Sequence, residues 1–207
     1  MIYELCVVQS GDAADESVAK LTETLRSTLS EYEGELMIQD NWGVKTFAQP
    51  TNTGKETGNF SYFIFKANNG ANKEIARRLR IDESVLKFAN FKLGEDVSAS
   101  DLLKTYKTPL SKKYHGSALE EDDDDDGERK DRKRFSKGKH CFFKSNNIIA
   151  DWKDPKTYSW LVNEFGKISA ARVSGVSRKH QRYVTTAIKR ARTLGIISHI
   201  SSRTINQ

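Results

Sequence analysis

Residues 59–67 read Asn-Phe-Ser-Tyr-Phe-Ile-Phe-Lys-Ala (NFSYFIFKA), and the parity of this stretch decides the fold. In an extended chain Phe60, Tyr62 and Ile64 fall on one side, and Phe63, Phe65 and Ala67 on the other. A strand with one solvated face alternates apolar with polar residues. This one is apolar on both sides, so both faces need a cover. Further strands are expected where Tyr3, Leu5 and Val7 alternate with Glu4 and Cys6, in ELMIQDNWGVKTFA (35–48), and in SVLKFANFKL (84–93). Between the first two, Val18, Leu21, Leu25, Leu29 and Tyr32 recur at helical spacing within about 80° of arc, with Asp15 or Ser17 as cap and Gly34 as stop. A shorter helix, NKEIARRLR (72–80), turns Ile75 and Leu79 inward.

The order β-α-β-β-α-β is the ferredoxin-like arrangement, an α+β fold with an antiparallel sheet and both helices on one face. The helices cover one side of NFSYFIFKA. A partner protein or stacked bases must cover the other. RNA-recognition modules stack bases on aromatics of such a strand, but this stretch lacks the leading basic residue and glycine of that pattern. Protein packing is the expected cover.

The 207 residues carry 34 Lys/Arg against 28 Asp/Glu, a formal net charge of +6, and the charges are segregated. Residues 1–115 are net −1, residues 116–134 net −4 and residues 135–207 net +11. A split of this kind marks the basic part as a polyanion-binding region. GSALEEDDDDDGERKDRKR (116–134) has almost no apolar residues to offset the entropy of ordering, so a solvated, disordered spacer is expected there. The expected organisation is a ferredoxin-like domain over 1–110, an acidic linker over 111–134, and a small all-α RNA-binding domain with a basic extended arm over 135–207. No stretch approaches the roughly 18 apolar residues of a membrane span. The opening MIYELCVV lacks the basic and small-residue segments of a secretory signal, so no membrane partner and a cytoplasmic location are expected. Cys6 and Cys141 make no disulfide framework.

In the basic part, DPKTYSWLVNEFGK (154–167) predicts a helix with Asp154 as N-cap, Pro155 in its first turn, Gly166 past its end, and Tyr158, Leu161, Val162 and Phe165 as its stripe. SRKHQRYVTTAIKRARTLG (177–195) predicts a second helix, capped by Ser177 and stopped by Gly195. Its six cations, Arg178, Lys179, Arg182, Lys189, Arg190 and Arg192, occupy about 160° of arc. No acidic residue accompanies them. A solvated face gains from Glu–Lys pairing; cations without counter-charge repel one another and are tolerable when phosphates neutralise them. Upstream, KRFSKGKHCFFK (133–144) interleaves Lys137, Lys139 and Lys144 with Phe135, Phe142 and Phe143, a basic arm with stacking or docking aromatics.

Catalytic chemistry is not expected. There is no nucleotide-binding loop or HExxH, and His140–Cys141 has no second ligand pair, so neither metal nor cofactor is assigned. His115, His180 and His199 read as isolated surface residues, and Glu4, Asp40 and Glu164 as no acid/base pair. A DNA-binding helix-turn-helix remains an alternative, although the twelve residues between Phe165 and Arg178 exceed its usual turn of about 3–4. So does a free RNA-binding translational regulator or RNA chaperone.

DNWGVKTFAQP (40–50) resembles the signature of the small-subunit ribosomal protein six family, with Trp42, Gly43, Lys45, Ala48 and Pro50 in place and Val44 and Thr51 departing from it. GKISAARVSGVSRKHQRYVTTAIKRARTLGII (166–197) resembles the core of the ribosomal protein eighteen family. Gly166, Lys167, Ile168, Arg172, Ser174, Gly175, Lys179, Gln181, Arg182 and the run Ala187–Arg192 match, and Ala170 stands where proline is usual. Lys139, Cys141, Phe143 and DWKD (151–154) fit the same family upstream. The two resemblances together imply a natural fusion of a heterodimeric pair. They further imply binding to the central domain of small-subunit ribosomal RNA beside neighbouring ribosomal proteins, in a bacterial rather than organellar ribosome. The implied RNA contacts are Lys137, Lys139, Lys167, Arg172, Ser174, Arg178, Lys179, Arg182, Lys189, Arg190 and Arg192. In the first region Lys45, Arg77, Arg78 and Arg80 are further candidates. The implied contact between the two domains joins Phe60, Tyr62, Phe63 and Phe65 to Phe142 and Phe143.

Overall fold

The computed structural model describes residues 1–11, 15–94, 106 and 141–200. β1 (Ile2–Ser10), α1 (Asp15–Glu31), β2 (Glu35–Thr46), β3 (Thr57–Lys66), α2 (Asn69–Ile81) and β4 (Val85–Gly94) follow the expected order. Every pairing is antiparallel and the sheet runs β2-β3-β1-β4, the ferredoxin-like arrangement. β1 and β3 lie at the centre, so both parities of NFSYFIFKA are buried.

One face packs on the two helices. Tyr3, Leu5 and Val7 of β1 and Phe63 and Phe65 of β3 meet Leu21, Leu25 and Leu29 of α1 and Ala71, Ile75 and Leu79 of α2. Phe63 and Phe65 therefore do not take part in the contact with the C-terminal region assigned to them above: their odd parity aims them at the helix layer. α2 starts where Asn68 Oδ1 accepts the Ala71 N–H at 2.8 Å, and Arg78 and Arg80 in its last turn suit the helix dipole. α1 ends at Glu31, which leaves Tyr32 beyond the stripe and exposed.

The C-terminal region contains α3 (Phe142–Ser145), α4 (Ala171–Ser174) and α5 (Arg178–Leu194). The helix expected over 154–166 is not formed. Asp154 does cap, its side chain accepting the Lys156 N–H, but the chain makes two 3-10 turns, Pro155–Thr157 and Ser159–Leu161. Val162 then bridges to Ile168 across a loop that Asn163 Oδ1 closes by accepting the N–H groups of Phe165 and Lys167. Tyr158 and Leu161, three residues apart, bury together at the 3-10 repeat, whereas Phe165, which a helix would have buried, is 75% exposed. Without that helix the two-helix DNA-binding reading loses its first member. The acidic linker and the basic arm, including Lys137 and Lys139, lie outside the described residues. Among the described residues no helix is long and apolar enough to cross a membrane.

Candidate nucleic-acid interface

The second sheet face and the C-terminal region share one core. Ile2, Cys6, Val8, Phe60, Tyr62 and Ile64 join Trp152, Tyr158, Leu161, Val184, Ile188 and Leu194 in a single buried cluster. Trp152 sits over the sheet, its ring 5.8 Å from Trp42, 6.4 Å from Tyr62 and 5.9 Å from Phe91. Trp42 reaches this face through a bulge. The ladder slips between Asn41 and Gly43, and Gly43 takes φ +73, a left-handed conformation that costs glycine nothing sterically. The Trp-Gly pair quoted above thus places an indole flat on Tyr62, 5.1 Å away at 17°. Tyr106 also stacks on Tyr62, at 5.1 Å and 9°. Phe60 and Tyr62 are fully buried here, which removes base stacking on β3 as a function.

A charged cluster pins the contact. Glu4, buried in the otherwise apolar β1, accepts the Tyr62 hydroxyl at 2.7 Å, the Trp152 indole N–H at 3.2 Å and the Lys153 ammonium at 2.9 Å. Asp151 gives Lys153 a second carboxylate at 3.2 Å. Burial alone would lower the Lys153 pKa, but Glu4 and then Asp151 outweigh it and hold the ammonium above its ordinary value. Burial, reinforced by the Glu4 charge, pushes the Tyr62 hydroxyl far up, so it stays a donor. Glu4 thus belongs to the interface between the two regions, a role sequence reasoning missed. The available signal was one acidic residue in line with Ile2, Cys6 and Val8 on the second face of a central strand, with a Trp-Lys pair elsewhere to answer it.

α5 lies against β4 and turns four of its six cations outward. Ser177 Oγ caps its start, accepting the His180 N–H, and Gly195 ends it. Arg178, Lys179, Arg182 and Lys189 are exposed, and among the described residues no carboxylate holds their side chains. The other two turn inward. Arg190 lies 4.2 Å over the Phe91 ring, and the Arg192 guanidinium donates to the Gly166 carbonyl. That bond, with Gln181 Nε2 donating to Ser169 O at 2.9 Å, ties the 166–169 segment to α5. Lys167 and Arg172 are exposed on the tied segment and its continuation. The half-buried Ser174 donates to the Ala170 carbonyl and so serves its own turn. In the N-terminal region Arg77 and Arg78 both donate to Glu74, whose carboxyl is held down to about 2 by hydrogen bonds from Arg77 and then Arg78. Arg80 is exposed and Lys45 half-buried.

At one end of α5, Cys141 accepts the Ser177 N–H at 3.3 Å and lies 3.5 Å from His180 Nδ1. His180 is half-buried and stacked on Phe143 at 5.8 Å, so it is not the isolated surface residue expected. Phe143 is buried in the shared core, while Phe142 stays on the surface. Among the described residues no group of three His, Cys, Asp or Glu side chains could hold a metal ion.

Residues 146–197 match the family model for ribosomal protein S18, and residues 2–92 match that for ribosomal protein S6. A protein named small ribosomal subunit protein bS18 from Pelobacter propionicus is 41% identical over 80 residues, which cover 38% of this chain and 84% of that protein. The chain belongs to the ribosomal protein S18 family. A bS18 of Brachyspira hyodysenteriae is 45% identical over 73 residues, 35% of this chain and 66% of that protein. Among solved structures, the 30S ribosomal protein S6 of Thermotoga maritima aligns at 18% identity and TM-score 0.42, over 50% of this chain and 91% of its own. The S18 match takes in all of α5, and the S6 match nearly the whole of the sheet and its helices. One polypeptide therefore matches the S6 model in its first part and the S18 model in its last.

Proposed function

We propose that this chain is a structural constituent of the small ribosomal subunit. Its S6-type and S18-type regions act as one tethered unit on the central domain of small-subunit ribosomal RNA, in contact with neighbouring ribosomal proteins. The observation that carries the reading is α5: a helix without one acidic residue, its buried side on the sheet and four exposed cations outward, within the segment that matches the S18 family. Lys167 and Arg172 extend this face, and Lys137 and Lys139 are further proposed RNA contacts. Arg190 and Arg192 serve it indirectly, by seating α5 on β4 and by holding the loop at Gly166. The proposed organisation is a ferredoxin-like unit over 1–110, a linker over 111–134 and an RNA-binding unit over 135–207. The role is non-enzymatic, and the location is the ribosome of a bacterial cytoplasm. A tagged chain expressed in the source cell is expected to sediment with small-subunit particles and to survive a moderate salt wash. Recovery in the free fraction at every stage of growth would contradict the reading.

A further inference from the structure

Three rings beside α5 form a run of near-parallel planes. Trp160 stacks on Phe143 at 6.3 Å and 21°, and Phe143 on His180 at 5.8 Å and 14°. Phe142 stands edge-on to both Phe143 and Trp160, 5.5 Å from each. The inner member, Phe143, is locked in the core, but Trp160 is 47% and Phe142 39% exposed. The indole is nonetheless fixed, because Nε1–H donates to the Thr157 carbonyl at 3.1 Å within the paired 3-10 turns. A large aromatic ring held rigidly in water has already met the ordering cost that binding would otherwise impose.

The surroundings select the occupant. Lys144 shares the single turn of α3 with Phe142, Lys179 adjoins His180, and both are exposed. Of the nearby carboxylates, Asp151 is engaged by Lys153 and Asp154 caps the first 3-10 turn. An open ring whose neighbours Phe142 and His180 stand beside exposed lysines in the chain fits a planar base on a phosphate chain, since base–aromatic stacking is indifferent to sequence and the lysines suit the backbone.

We propose that Trp160, braced by Phe142, is a stacking platform for one unpaired nucleobase of the RNA held by α5, with Lys144 and Lys179 meeting the flanking phosphates. This rests on the ribosomal RNA reading above. The test titrates the full chain with the central-domain fragment of small-subunit ribosomal RNA over a salt series, following tryptophan emission. Trp42 and Trp152 are buried, so quenching on binding reports Trp160. Trp160→Ala and Trp160→Leu are both expected to bind about tenfold more weakly, within a range of about 5- to 150-fold, with an unchanged salt slope because no phosphate contact is lost. Trp160→Phe keeps the affinity within about threefold and loses the quenching. Leucine without a ring separates stacking from packing should the alanine variant fold poorly. Wild-type affinity in Trp160→Leu, with Arg182→Ala weakened, overturns the platform and leaves the RNA reading standing. Failure of the wild-type chain to prefer the fragment overturns both.

Discussion

Glu4 shows how a single residue fixes a whole interface. A carboxylate buried on a central strand is costly unless every lone pair is answered, and here a tyrosine, an indole and an ammonium answer it. The four groups come from three separate stretches of the chain, at residues 4, 62 and 152–153, so the cluster forms only in one docking register. Lys153→Met removes the counter-charge and leaves Glu4 buried; the loss of stability is expected at about 2–3 kcal/mol, below the usual cost of breaking a buried pair because Lys153 keeps some solvent contact. Its pH dependence has a definite sign. The folded pKa of Lys153 lies above the ordinary one, so its contribution is complete below about pH 10.4 and is lost as pH rises through the folded value. Denaturant unfolding of the two proteins should therefore converge only in strong alkali. A gap already closed at neutral pH would contradict the role given to Lys153. Trp152→Ala is expected to cost about 3–5 kcal/mol, by the cavity it leaves on the sheet, read from the shift in the urea midpoint.

At the scale of elements, the sheet and α5 were legible because periodicity and parity report burial directly. NFSYFIFKA is apolar on both parities, and both are buried; the α5 wheel separates a buried from a charged arc, and the helix sits accordingly. The segment 154–166 was not legible. Its cap and its apolar spacing fit an α-helix and a pair of 3-10 turns equally; Asn163 closes the loop locally, and the bond from Arg192 to the Gly166 carbonyl, 26 residues away, holds it. Two of the six cations also make contacts within the protein that the sequence did not reveal, since a wheel shows direction but not what lies beneath. Phe91 and the Gly166 carbonyl lie there. Gly166 has φ +76, and a Cβ would lie 1.9 Å from the Ile200 carbonyl oxygen. Gly166→Ala is thus expected to lower the melting temperature, with about 1–2 kcal/mol from the left-handed backbone alone and more from the clash. An unchanged melting temperature would show that the loop at 166 is not held as described.

For the whole molecule, the chain joins a near-neutral region that folds as a sheet to a basic region that completes it. The apolar surface that a ferredoxin-like fold leaves open is covered by the region that carries the cations, so the cationic face of α5 and the sheet are mechanically one body. Because both regions lie on one chain, this pairing is intramolecular, which raises its effective concentration over that of two separate proteins. Cleavage at a protease site inserted between Gly116 and Gly127 is expected to leave the two pieces together on a sizing column. The same cut in Trp152→Ala is expected to release them, and separation in both would contradict the shared core. The function rests on α5, and one titration tests it most directly: the affinity of the chain for the central-domain fragment of small-subunit ribosomal RNA across a salt series, beside Arg182→Ala/Lys189→Ala. The account predicts selective binding over unrelated duplex RNA and DNA, and a salt slope shallower by about 2 in the double variant, one unit for each phosphate contact removed. Equal affinity for all the nucleic acids, or an unchanged slope in the double variant, would contradict it.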